Sequence, residues 1–349
     1  MRHRRNAEPL ILAATAGAIV FATIRRIRQA DLSGQVALIT GGSRGLGLLL
    51  AREFAQAGCQ LVICGRDEAQ LGRAEQDLRN RGAVVLAIQC DVSDRAQVDH
   101  MVSQAVERVG PIDILVNNAG IIGVAPLQAL ELKDFEKAMN IMYWGTVYPT
   151  MAVLPAMRQR HNGRIVNITS IGGLVAVPHL LAYSSAKFAA VGFSQGLRAE
   201  VARDGIAVTT VAPGLMRTGS HLHAEFKGEQ MKQYSLFAPL SSLPIISMDA
   251  ERVARRIVTA TRRGEAQLTL SLPANLLARV NGVMPGTTAR TMGLVNRLLP
   301  NEGDPAAGTR PGIDLQREPH PRLVDLATTW ARKAAGRFLE DGGADPVPH

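Results

Sequence analysis

The chain has 349 residues, 46% hydrophobic and 20% charged, with three cysteines (Cys59, Cys64, Cys90) in no CxxC spacing. That balance excludes a small disulfide-stapled scaffold, wholesale disorder and a polytopic membrane protein, and three cysteines without a pairing pattern fit a reducing compartment. The net charge of +9 sits at the ends: residues 1–30 carry six Arg against one Glu, residues 31–249 carry 19 basic and 19 acidic groups, and residues 250–349 carry 14 against 10. A neutral body with 4% aromatic residues and no basic stripe gives no reason to expect nucleic acid as a partner.

Three segments are expected: a basic and hydrophobic N-terminal membrane-anchor segment (1–30), a main domain (31–266), and an amphipathic, partly disordered C-terminal extension (267–349). Leu10 to Ile24 is a run of fifteen uncharged residues between Arg2, Arg4 and Arg5 on one side and Arg25, Arg26 and Arg28 on the other. A helix over that run is ~22 Å long against a hydrocarbon core of ~30 Å, so it spans marginally or lies in the interface. The arginines after it favour an uncleaved anchor over a cleaved signal peptide, and arginines on both flanks cancel the orientation signal.

Gln35 to Thr40 (QVALIT) reads as a strand, followed by GGSRGLG and then a stretch with helical periodicity. Gly41, Gly45 and Gly47 suit a tight turn, close approach of a pyrophosphate and close helix packing, and Ser43 and Leu46 fall in the same turn. The free amides and positive dipole end of the following helix then face the phosphates. A second strand, Gln60 to Cys64, leads to Arg66 where dinucleotide folds often place a ribose-binding carboxylate. Arg66 and Arg44 instead suit a 2′-phosphate, so NADP(H) is expected over NAD(H). That supply, with the unpaired cysteines, favours a catalytic body facing the cytoplasm.

A third strand, Val84 to Cys90, ends at Asp91 and Val92, and a fourth, Ile112 to Val116, ends at Asn117, Asn118, Ala119 and Gly120. Strands alternating with helical stretches predict an α/β fold, a doubly wound parallel sheet binding its ligand beyond the strands' carboxyl ends. Asp91 is a candidate for the adenine amino group; the plainer reading is a helix cap, because Ser93 and Asp94 follow. Arg164 to Ser170 (RIVNITS) is another strand, and thirteen residues after Ser170 comes Tyr183, with Lys187 four further on. A spacing of four puts Tyr183 and Lys187 on one helix face, where an ammonium is expected to lower the phenol's pKa so that it exchanges a proton with an alcohol or ketone oxygen.

TGGSRGLG (40–47), NNAG (117–120), Ser170, YSSAK (183–187) and PGLMRT (213–218) stand in the order and spacing of the short-chain dehydrogenase/reductase family, which the chain resembles from about Leu32 to Gly264. The resemblance implies a Rossmann-like single catalytic domain with a seven-stranded parallel sheet and hydride transfer at nicotinamide C4. It implies Tyr183 as acid/base, Ser170 orienting the substrate oxygen, and Lys187 holding the nicotinamide ribose and lowering the Tyr183 pKa. Pro213, Gly214 and Thr218 would line the nicotinamide, and a homo-oligomer would be common for the family. One departure stands out: where the family has an asparagine three residues ahead of a glycine, this chain has Met142 before Gly145. Asn140 lies two positions away, ~200° round a helix, and is expected to point elsewhere. Chemistry is expected to be retained but slower, with Met142→Asn raising turnover or leaving it unchanged.

Gly219 to Met248, with His221, His223, Phe226, Tyr234 and Phe237, falls where the family keeps its substrate-covering loop; the two histidines read as a solvated pair, with no metal expected. Leu268 to Leu299 sets Arg279, Arg290 and Arg297 among apolar residues, a pattern shared by membrane-surface segments, core caps and dimer contacts. Pro300 to Pro321 reads as a linker, Arg322 to Leu339 as a short amphipathic helix, and the last residues as disordered. The expected function is a membrane-associated, NADP(H)-dependent oxidoreductase for a small hydrophobic alcohol or carbonyl substrate. The alternative is an NADP(H)-binding regulatory or scaffold protein in which Met142 has silenced turnover.

Overall fold

In the computed structural model the apolar runs pair into one parallel sheet and the amphipathic stretches cover both of its faces. The structure describes residues 29–243, 246–301, 303, 308–319 and 322–340. The anchor expected at Leu10–Ile24 and the tail beyond residue 340 lie outside them. Among the described residues no helix is long and apolar enough to cross a membrane.

In chain order the first half runs β1 (Val36–Thr40), α1 (Gly45–Gln56), β2 (Gln60–Gly65), α2 (Glu68–Asn80), β3 (Val85–Gln89), α3 (Arg95–Arg108), β4 (Ile114–Asn117), β5 (Gly123–Val124) and α4 (Leu132–Met139). A π-helical turn, Asn140–Trp144, leads into α5 (Gly145–Arg160), then β6 (Gly163–Ile168), α6 (Leu181–Glu200), β7 (Ile206–Pro213), β8 (Met216–Arg217), β9 (Glu225–Phe226) and α7 (Gln230–Ser242). The remainder is β10 (Met248–Asp249), α8 (Ala250–Arg263), β11 (Gln267–Leu270), α9 (Leu272–Val283), α10 (Pro285–Asn296), β12 (Arg310–Pro311), α11 (Gly312–Arg317) and α12 (Arg322–Arg337).

The main sheet has seven parallel strands in the order β11-β7-β6-β4-β1-β2-β3. This is the Rossmann-like, doubly wound α/β sheet expected from the alternating pattern. Its order reverses between β1 and β4, which opens a crevice beyond their carboxyl ends. The register places Leu38 of β1 between Val62 of β2 and Leu115 of β4. Strands covered on both faces read as continuous apolar runs, and alternate residues go to opposite cores. Ile39, Ile63 and Val116 pack under Leu48, Leu50 and Phe54 of α1 and Ile257 of α8, while Leu38, Val62 and Leu115 pack with Met101 of α3 and Met157 of α5. Each of these side chains is fully buried, a contribution of ~1.5–3 kcal/mol apiece.

Described residues beyond 266 are built into this body. Strand β11 forms one edge of the sheet, and Ala334 and Phe338, from α12 and just after it, join the core beside α1. The stretch from Pro300 to Pro321 is not simply a linker: β12 pairs antiparallel with β9, and Leu315 of α11 is fully buried beside Phe226 and Tyr234. Within residues 308–319 the buried Leu315 is the apolar anchor.

Candidate active site

The carboxyl ends of β1, β4, β6 and β7 open into a groove of about 530 Å³. Strand β1 delivers the glycine turn. Gly41 takes a positive φ of 63°, and a Cβ on Gly47 would lie 2.0 Å from the Gly41 carbonyl oxygen, so neither position accommodates a side chain. Helix α1 then starts at Gly45 with no side-chain cap from Arg44, and its positive dipole end borders the groove through Leu46 and Gly47. Gly41, Ser43, Leu46 and Gly47 line the groove. Gly45 does not: its amide donates to the Phe338 carbonyl at 2.8 Å, and a Cβ there would collide with Glu340.

At the outer end Arg44 and Arg66 border one shared recess with Asp67 and Gln70. Arg44 Nη1 donates to Gln70 Oε1 at 2.9 Å. Asp91 and Val92 also line the groove. The Asp91 carboxylate accepts from the amide and hydroxyl of Ser93 at 2.9 and 2.7 Å, while Asp94 caps α3. Asp91 therefore stabilises a turn, and the capping role belongs three residues later.

Strand β4 brings Ala119 and Gly120 to the groove, but not Asn117. The Asn117 amide points into the sheet's interior, where its Nδ2 donates to Thr150 Oγ1 at 3.0 Å and Asn167 Oδ1 at 2.8 Å. Strand alternation turns the next residue the other way. Asn118 faces the groove and donates to the carbonyls of Thr40 and Gly41 at 3.0 and 3.1 Å, which fixes the glycine turn. The NNAG motif contains both residues, and only the strand's phase tells them apart.

Ser170, Tyr183 and Lys187 meet at the inner end of the groove. Ser170 follows β6, its hydroxyl accepts from the Gly172 amide at 3.0 Å, and it hydrogen-bonds the Tyr183 phenol. A Cβ on Gly172 would stand 3.0 Å from Tyr183 Cε1, and one on Gly173 would stand 2.6 Å from the Lys187 carbonyl oxygen. Two small residues thus let α6 press against the loop after Ser170. Lys187 Nζ donates to the Ile168 carbonyl at 2.9 Å and lies 5.9 Å from the Tyr183 ring centroid. Pro213, Gly214 and Thr218 close this end, and the buried Thr218 hydroxyl accepts from the Ser220 amide at 3.1 Å.

The electrostatics differ from expectation. Burial pushes the Tyr183 phenol above its usual range, opposed by the hydrogen bond from Ser170. Burial also brings Lys187 down to about 8. Both groups resist charge because both are taken out of water, and a lysine that titrates near 8 exerts less pull on its neighbour than a permanent cation.

Met142 is buried with Ala138, Ile141, Ala182 and Ala186, and its Cγ is 3.8 Å from where a Cβ on Gly120 would stand. Its carbonyl accepts from Thr146 Oγ1 at 2.9 Å. Asn140, at the start of the π-helical turn, is exposed. The two histidines are not a solvated pair: His221 is buried, and His223 Nε2 lies 2.6 Å from the Glu340 backbone oxygen. Among the described residues no group of three or more His, Cys, Asp or Glu could hold a metal ion. Phe226 and Tyr234 pack inside with Leu315, whereas Phe237 and Leu240 of α7 line the groove with Ile122, Leu180 and Leu215.

Glu340 is the largest omission from the sequence reading. The residue is 4% exposed and lines the groove, with its carboxylate 3.4 Å from Arg44 Nε and 3.2 Å from His223 Nε2. No local pattern marks it, because the contact spans nearly 300 residues.

Glycines that leave no room for a side chain, a helix start that no side chain caps and two arginines at the rim fit the phosphates of a dinucleotide, and the Glu340 carboxylate beside Arg44 opposes them. The short chain dehydrogenase family model matches residues 35–227. A 3-ketodihydrosphingosine reductase of Mus musculus is 33% identical over 297 residues, 82% of this chain and 88% of its own length. A dehydrogenase/reductase SDR family protein 7-like of Anopheles gambiae is 41% identical over 198 residues, 55% of this chain and 62% of that protein. A short-chain dehydrogenase structure from Streptomyces avermitilis superposes with a TM-score of 0.67 at 28% identity, covering 76% of this chain and 98% of that one. The chain belongs to the short-chain dehydrogenase/reductase family of oxidoreductases, whose members bind a nicotinamide dinucleotide.

Proposed function

We propose that the chain interconverts a hydrophobic alcohol and its ketone or aldehyde with NADP(H), Tyr183 serving as the acid/base. The observation that carries this reading is the meeting of Ser170, Tyr183 and Lys187 at one end of a groove whose other end is bordered by Arg44 and Arg66. Gly41, Ser43, Leu46 and Gly47 would hold the pyrophosphate, Arg44 and Arg66 would pair with the 2′-phosphate, Asp91 and Val92 would serve the adenine, and Ala119, Gly120, Pro213, Gly214 and Thr218 would serve the nicotinamide end. When bound, the dinucleotide supplies or accepts the hydride at its nicotinamide ring.

Tyr183 gives its phenolic proton to the carbonyl oxygen in reduction and takes it back in oxidation. Its raised pKa keeps that proton in place at neutral pH. Ser170, already bonded to the phenol, orients the same oxygen. Lys187, braced on the Ile168 carbonyl, holds the nicotinamide ribose. Ile122, Leu180, Leu215, Phe237 and Leu240 make the substrate end apolar and exclude water from the transfer. The mouse relative's name specifies a keto substrate and a reductase, which supports a ketone as one member of the pair. Attachment to a membrane through Leu10–Ile24 rests on the apolar run and its arginine flanks.

The test is consumption of NADPH, with NADH as control, across hydrophobic ketones and aldehydes by wild type and Tyr183→Phe. Turnover that prefers NADPH and vanishes in the variant is expected. Tight NADPH binding with no turnover, even after Met142→Asn, supports the regulatory alternative.

A further inference from the structure

Helices α9 and α10 form a hairpin whose apolar face has no partner among the described residues. On α9, Leu272, Leu276, Val280 and Val283 are exposed at steps of four, four and three, which aligns them along one side. Leu294 and Leu298 extend the exposed apolar surface along and just beyond α10. Leu272 is 83% exposed and Leu298 86% exposed, values usual for charged residues and unfavourable for aliphatic ones in water. The charge pattern is as one-sided as the apolar one. Residues 268–300 carry Arg279, Arg290 and Arg297, all exposed, and no Asp, Glu or Lys.

The hairpin is also fastened to the active site. At its start Ser271 caps α9, and Ser271 and Ala274 sit against Gly214. Near its end Asn281 Nδ2 donates to the Leu174 carbonyl at 3.0 Å, in the turn that follows Ser170. Helix α9 therefore runs from the loop after β7 to the loop after β6, alongside the substrate end of the groove.

We infer that the α9–α10 hairpin is a lipid-binding surface that lies on an anionic membrane, with its aliphatic stripe among the acyl chains and Arg279, Arg290 and Arg297 on the headgroup phosphates. Guanidinium groups pair with phosphate, and a basic amphipathic face with no acid matches an anionic interface. A second copy of the same face would set like charges against one another with no carboxylate to offset them. The consequence for the enzyme is that an apolar substrate dissolved in the bilayer meets the groove without crossing water. This surface does not depend on the N-terminal run, and its test separates the two.

The test uses the full chain. Leu276→Cys carries a bimane label, and Val84→Cys, exposed just before β3 at the opposite edge of the sheet, is the control. The native cysteines are buried and leave the introduced thiol as the reactive one. The labels are read in phosphatidylcholine vesicles with and without phosphatidylglycerol, using brominated acyl chains as quencher. The expected result is at least twofold quenching at position 276, none at 84, and dependence on phosphatidylglycerol. Replacing Arg279, Arg290 and Arg297 together by Gln should lower the partitioning that produces it by roughly tenfold or more. A label at 276 that stays aqueous while the protein sediments with vesicles overturns the inference and leaves attachment to the N-terminal run. Shielding of 276 without lipid overturns it too: when it grows with protein concentration the face covers a second copy, and when it does not, a segment of the same chain.

Discussion

The Glu340 carboxylate lies 3.4 Å from Nε of Arg44, at the phosphate end of the groove and against the start of the helix that faces it. Phe338, two residues earlier, accepts from the Gly45 amide with its carbonyl. The C-terminal segment thus sets a negative charge where a dinucleotide brings several more. Removing it by Glu340→Gln is expected to tighten dinucleotide binding about three- to tenfold, NADPH more than NADH, since Arg44 is released toward the 2′-phosphate; ~1.4 kcal/mol corresponds to a factor of ten. Fluorescence titration of both cofactors checks this, and weaker binding by the variant would show that Glu340 belongs to the cofactor's own contacts.

On the function proposed above, Arg44 and Arg66 at the rim set the preference for NADPH. Arg66→Ala and Arg44→Ala should each weaken NADPH binding by about ten- to a hundredfold, in line with the ~1.5–3 kcal/mol of a charge-assisted hydrogen bond, and leave NADH nearly unchanged. Equal losses for both cofactors would mean that these side chains meet the pyrophosphate or adenine instead.

Met142 fills apolar space beside the Tyr183–Lys187 pair. Met142→Asn places an amide in that space, so the variant is expected to lose about 1–3 kcal/mol of stability, read as a lower Tm, while kcat stays the same or rises. A kcat loss greater than the loss of folded protein would show that the site is organised around the thioether.

Lys187, brought down to about 8, gives a definite pH signature. With Tyr183 held protonated, kcat/KM for ketone reduction should be level from about pH 6 to 7.5 and fall through about 8 as Lys187 loses its proton. A limb only above the ordinary tyrosine range would assign the decline to Tyr183. The stability effect has the opposite sign. Burial lowers this pKa from the 10.5 of an exposed lysine, so between about 8 and 10.5 the unfolded chain holds the proton more tightly and rising pH favours the folded state. Thermal melts of wild type and Lys187→Met should show wild type gaining on the variant across that window.

Much of the site was legible because its signals are local. GGSRGLG follows an apolar run and precedes a helical period, and YSSAK encodes its own geometry through a spacing of four. What escaped depends on contacts that spacing does not carry. Asn117 and Asn118 are adjacent and chemically identical, and only the phase of β4 sends one into the core and the other to the groove. Gly45 reads as part of the cradle until Phe338 returns to cap it. The direction of the Tyr183 shift required knowing how deeply α6 is pressed against the Ser170 loop, which Gly172 and Gly173 permit. Pro300 to Pro321 reads as a linker by composition, which hides the buried Leu315 that anchors residues 308–319.

The most direct measurement follows the hydride itself. Wild type and Tyr183→Phe are given NADPH carrying deuterium at both nicotinamide C4 positions with a hydrophobic ketone, and the alcohol is analysed by mass spectrometry and NMR. Deuterium on the carbinol carbon with wild type, and its absence with the variant, is the predicted result. An alcohol without the label, or label transfer that persists in Tyr183→Phe at the wild-type rate, would contradict the assignment of Tyr183 as acid/base in a direct hydride transfer.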